Sequence, residues 1–152
     1  MEIRVLFATP DENTEILLYS LIASARQLVC FDLAVADVAE QDEMLAAVDD
    51  HTADVVLLDW SMAGDGTPDL VSEILVHNPK MRVVVLLPLI YRQYRDRVWQ
   101  AGACNSIPKE HMEQEWFSSI LCVMHRAMER EARLIREYET RLTAERCQLD
   151  RG

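Results

Sequence analysis

Val55-Val56-Leu57-Leu58-Asp59, followed by Trp60-Ser61-Met62-Ala63-Gly64-Asp65-Gly66, decides how this chain is read. Four consecutive apolar residues describe a strand buried on both faces, the pattern of a parallel strand covered by helices. The strand delivers one carboxylate at its end and then breaks into a glycine-containing loop. In an open parallel sheet, ligands and chemistry collect at the carboxyl ends of strands, so Asp59 is the first residue to interrogate.

Similar apolar runs lie at residues 3–8, 33–36 and 83–87, with a brief one at Ser106-Ile107. Segments of helical period separate them at 14–25, 41–49, 68–77 and 91–101, the first with Ile16, Leu17, Leu21 and Ile22 on one face. Strict alternation of strand and helix predicts an α/β fold with a doubly wound, five-stranded parallel sheet. Thr67-Pro68-Asp69 predicts an N-cap at Thr67 with proline at the first helical position. Asn78-Pro79 ends that helix, and Gly102 supplies a left-handed close to the next.

The length of 152 residues allows one sizeable core and an appendage. A net charge of -11 argues against a nucleic-acid surface, which needs clustered Lys and Arg. The acidity is uneven: residues 1–116 hold 8 Lys and Arg against 20 Asp and Glu, while residues 117–152 hold 7 against 6. No apolar run reaches the roughly 18 residues of a membrane span, and Met1-Glu2-Ile3-Arg4 lacks a signal-peptide pattern, so no membrane role and a cytoplasmic location are expected. Cys30, Cys104, Cys122 and Cys147 are scattered without metal-ligand spacing and read as reduced thiols.

From about His111 to Leu149 the chain has no proline or glycine. At 1.5 Å per residue this allows a helix of roughly 58 Å, longer than a compact domain covers. Leu121, Met124, Met128, Glu131, Ile135, Tyr138, Leu142, Glu145 and Leu149 follow alternating steps of three and four, the seam of a coiled coil. Glu131 and Glu145 are defects in it. The expected organisation is a globular domain over residues 1–125 and a fifth helix over 111–149 that forms a homodimer through Leu121, Met124, Met128, Ile135, Tyr138, Leu142 and Leu149.

Taken together, Asp59, the Met62-Ala63-Gly64-Asp65-Gly66 loop, and Ala101-Gly102-Ala103 leading through a short strand to Lys109 resemble the CheY-like receiver domain of two-component response regulators over residues 1–125. The resemblance implies a flavodoxin-like receiver fold in which the Asp59 position accepts a phosphoryl group from a histidine kinase and Lys109 pairs with it. A lysine is a suitable point charge for an added phosphoryl group, and Mg²⁺ completes the neutralisation in that family.

The pattern then departs from the family. Thr9-Pro10 stands where two adjacent metal-holding acids belong, and Asp11 and Glu12 come two residues late. A rebuilt Mg²⁺ site would draw on Asp59 with Asp11 or Glu12, and no cofactor is otherwise required. Leu87 and Ser106 replace the hydroxyl and aromatic switch residues, and Pro108 precedes Lys109 where a proline should follow it. Three readings remain. The first is an atypical, non-enzymatic pseudo-receiver that acts by protein contact and dimerisation without phosphorylation, on a histidine kinase or a downstream signalling protein. The second is a working Asp59 phosphoacceptor. The third is the regulatory module of a longer regulator with enzymatic or RNA-binding output. A nucleotide-binding enzyme is disfavoured, because Thr9-Pro10-Asp11-Glu12-Asn13 has no phosphate-cradling glycine. Trp60 reads as packing, and Tyr91, Arg92, Tyr94, Arg95 and Arg97 as either a docking patch or a solvated helix face.

Overall fold

In a computed structural model that describes residues 2–151, five parallel strands form one sheet in the order β2-β1-β3-β4-β5. They are β1 (Glu2–Ala8), β2 (Asp32–Val38), β3 (Val55–Asp59), β4 (Arg82–Leu87) and β5 (Asn105–Pro108). The connecting helices are α1 (Glu12–Leu28), α2 (Gln41–Asp49), α3 (Thr67–His77) and α4 (Arg95–Gln100), and α5 (Gln114–Arg151) follows the last strand. This is the doubly wound parallel sheet that the alternation predicts, in the receiver-type arrangement that the resemblance implies.

Period-two geometry divides each strand between two cores. Ile3, Val5 and Phe7 of β1, with Leu57, Val84, Leu86 and Ile107, pack beneath α1 and α5. The alternate residues Leu6, Ala8, Val56, Leu58, Val83 and Val85 pack against α2, α3 and α4. The sheet order reverses between β1 and β3, and that crevice is where the ends of the two strands meet. Among the described residues no helix is long and apolar enough to cross a membrane.

Several boundaries differ from expectation for local reasons. Helix α1 begins two residues before Thr14, because Asp11 caps it by accepting the Asn13 N–H. Its buried face is Thr14, Leu18, Leu21, Ile22 and Ala25, which leaves Ile16 and Leu17 turned outward. Thr67 is the first residue of α3 and not its cap; Gly66 holds the cap position, and the Thr67 hydroxyl donates to the Gly64 carbonyl. A 3-10 segment, Leu89–Tyr94, takes the first four residues of the expected fourth helix, and α4 itself starts at Arg95. The long helix starts at Gln114, since Lys109–His111 forms a 3-10 turn.

Gly102 has φ +115°, and a Cβ there would meet the Leu75 side chain of α3. Gly102→Ala should therefore lower stability by about 1 to 2 kcal/mol, read as a reduced urea midpoint at unchanged slope.

Candidate functional site

Strand register builds the site. Ala8 of β1 pairs with Leu58 of β3, so the next residues, Thr9 and Asp59, emerge side by side at the reversal point. Both are buried: Thr9 is 3% exposed and Asp59 0%. The Thr9 hydroxyl donates to Asp59 Oδ2 at 2.6 Å, and the Ser61 backbone N–H donates to Oδ1 at 3.1 Å. Lys109, at the exit of β5, places Nζ 3.1 Å from each carboxylate oxygen. A charge taken fully out of water needs such partners.

The surrounding loops are tied to the same point. The Thr9 hydroxyl accepts the Asp11 N–H at 3.1 Å, which turns the chain from β1 into α1. Asp11 accepts from the Thr14 hydroxyl at 2.6 Å and stands 3.8 Å from Lys109 Nζ. Its carboxyl is held below its ordinary value, first by the Thr14 hydroxyl bond against an opposing effect of burial, then by the Asn13 N–H and the Lys109 charge. Glu12 opens α1 with an exposed side chain. Lys109 thus joins Asp59 and Asp11 but not Glu12.

Magnesium prefers oxygen ligands in near-octahedral order. The two carboxylates within reach, Asp59 and Asp11, both face the Lys109 ammonium, and no group of three potential metal-ligating side chains occurs among the described residues. That donor set is a poor fit for a divalent cation. A carboxylate can also attack phosphorus, yet the lone pairs of Asp59 are already engaged by a hydroxyl, an amide and an ammonium.

The switch positions are filled differently. Leu87 is buried in the core beneath α3 and α4, and Ser106 is half-buried in β5. Glu110 accepts the Leu89 N–H at 2.9 Å, joining the exit of β5 to the segment after β4. Trp60, 4% exposed, stacks on Tyr91 with ring centroids 5.2 Å apart and meets Tyr94 at 4.9 Å. Trp60 is therefore packing, as expected, and it divides the aromatic and basic patch: Tyr91 and Tyr94 face inward, while Arg92, Arg95 and Arg97 stay exposed.

Thr9 as a donor to Asp59 was not foreseen, although the equal offset of β1 and β3 could have revealed it. The Glu110 and Tyr91 contacts join loops far apart in sequence and left no local signal. In α5, Leu121 and Met124 are buried in the chain's own core and Met128 packs against it, so these three seam residues are occupied within one chain. Ile135, Tyr138, Leu142 and Leu149 remain exposed.

A family model described as "Response regulator receiver domain" matches residues 13–121. No curated protein matches the chain. Among solved structures, the receiver domain of a sensor histidine kinase from Pseudomonas aeruginosa, with magnesium coordinated in its cleft, superposes with a TM-score of 0.65 at 15% identity over 80% of this chain and 95% of its own. A CheY-like receiver from Methanospirillum hungatei gives 0.66 at 18% identity, covering 86% and 99%. NtrX from Brucella abortus, in complex with ADP, gives 0.68 at 21% identity, covering 91% of this chain and 29% of its own.

Lys109→Met should leave a buried, uncompensated carboxylate and cost about 3 kcal/mol in urea denaturation, with much of the loss recovered when Asp59→Asn is added. Asp11 gives a pH signature. Because its folded-state value is lowered, its stabilisation is full above the ordinary carboxylate range and disappears as pH falls through the lowered value. The stability gap between the wild type and Asp11→Ala should accordingly close in acid.

Proposed function

The chain belongs to the response regulator receiver domain family, and we propose that it is a pseudo-receiver: a non-enzymatic signalling module that works without phosphorylation, through protein contacts of a dimer joined by its long terminal helix. The observation that carries this reading is the saturation of Asp59. Its two oxygens receive the Thr9 hydroxyl, the Ser61 N–H and the Lys109 ammonium. Thr9 stands where the family pattern places a metal-holding acid. It contributes a donor where an acceptor is needed, and so stabilises the carboxylate in place of a cation.

Lys109 balances the charge of Asp59. The aromatic stack of Trp60, Tyr91 and Tyr94 and the Glu110 to Leu89 bond hold the segment after β4, so the usual route by which a modified carboxylate would move that segment is fastened. Activity then resides in constant surfaces. The exposed apolar residues Ile135, Tyr138, Leu142 and Leu149 of α5 support helix pairing with a second copy. The acidic globular end is fitted to a cytoplasmic protein partner, a histidine kinase or a downstream signalling protein.

A second reading keeps Asp59 as a phosphoacceptor with Asp11 recruited to a rebuilt Mg²⁺ site, and the position of Asp11 3.8 Å from Lys109 Nζ favours it. A third, a regulatory module within a longer protein, draws on NtrX, whose chain is matched over only 29%. Incubation with Mg²⁺ and acetyl phosphate, followed by intact-mass measurement, separates the first two. We expect no adduct; a phosphoryl adduct lost in Asp59→Asn would establish the second reading.

A further inference from the structure

The seam read from heptad spacing faces two ways: its first residues point into the chain's own core, and its later ones open to solvent. A partner lying along the whole helix needs a row that stays accessible from end to end. Such a row exists a fraction of a turn away. Trp116, Ala127, Tyr138 and Leu149 recur every eleven residues, Ile120 and Leu142 flank them with Glu131 between, and Val123 and Leu134 precede Glu145 in the same phase.

None of these side chains is fully buried, and Ile120 alone among them also packs against the chain's own core. Trp116 is 44% exposed, Val123 66%, Leu134 50% and Tyr138 59%. Eleven residues over three turns is about 3.67 per turn, close to the helix's own 3.6, so this row keeps to one side of the rod. Beside its upper part lies a cavity of about 300 Å³ between α5 and the outer strand, walled by Trp116, Ile120, Val123 and Ala127 with Cys104 and Asn105 across from them. A face roughly 50 Å long and about 10 Å wide would bury on the order of 1,000 Å² over two copies, the lower bound for a specific contact.

We propose that this eleven-residue row is the dimer interface, with a second copy of the chain pairing parallel and in register. The proposal rests on the dimer reading above and relocates its contact surface. Register follows from the polar positions. In the parallel arrangement apolar residues meet apolar ones, Glu131 meets Glu131 and Glu145 meets Glu145, the last a like-charge approach that Arg141, one turn before it, and Arg146 beside it must offset. In an antiparallel arrangement over the same row the glutamates would face Leu134 and Ile120, burying charge against hydrocarbon. The Glu131 carboxylate is already paired with Arg82 of β4, so its approach to a second copy is neutralised within each chain.

Light scattering on the wild type, Val123→Arg and Ile135→Arg tests the surface. Both positions are exposed, and circular dichroism checks that each variant folds. We expect a dimer for the wild type and Ile135→Arg, and half that mass for Val123→Arg. Loss of the dimer in Ile135→Arg but not Val123→Arg would overturn the relocated interface and leave the dimer reading intact. A monomeric wild type would overturn both. For orientation, Val123→Cys with the four native cysteines replaced by alanine should form a disulfide-linked dimer under mild oxidation. A dimer that does not cross-link at this position would exclude parallel pairing.

Discussion

A carboxylate with no solvent contact governs the end of the sheet where this protein's loops converge. Asp59 sits on a strand whose side chains are all buried, so water cannot stabilise its charge. The chain supplies the missing stabilisation from three directions: Thr9 from β1, Ser61 from the following turn and Lys109 from β5. Each donor is also the first or second residue of a loop. Satisfying one charge therefore sets the exit angles of three connections, and the cap of α1 follows through Asp11.

On the pseudo-receiver proposal, this arrangement exchanges adaptability for fixity. A metal-assisted acid site depends on oxygen atoms left free to receive a ligand. Here the hydroxyl of Thr9 turns an acceptor position into a donor, and the ammonium of Lys109 stands between the two nearby carboxylates. The ring stack on Trp60 extends the same rigidity to the segment beyond β4.

The strands were legible because continuous apolar runs have few other meanings in an alternating chain. Asp59 was legible because it ends a strand, and Lys109 because it directly follows one. Thr9 was visible as a missing acid but not as a donor, because that role depends on the Ala8 to Leu58 register. Helix α1 carries more apolar residues than one face can cover, and its cap chose Thr14 for burial over Ile16. In α5, spacing alone could not distinguish residues that meet their own sheet from residues that meet another molecule. Glu131 looked like a flaw in a seam, since Arg82, its partner, lies 49 positions away.

That last contact has a mechanical side. Helix α5 leaves the cover of the sheet close to Glu131, and the bond to Arg82 pins it to β4 at that exit. That contact adds to the packing of Met128 on the core in tying the helix to the sheet at its point of departure. From Glu131 to Leu149 it projects roughly 27 Å. A partner gripping its far portion, as proposed above, would sit about that far from the acidic globe.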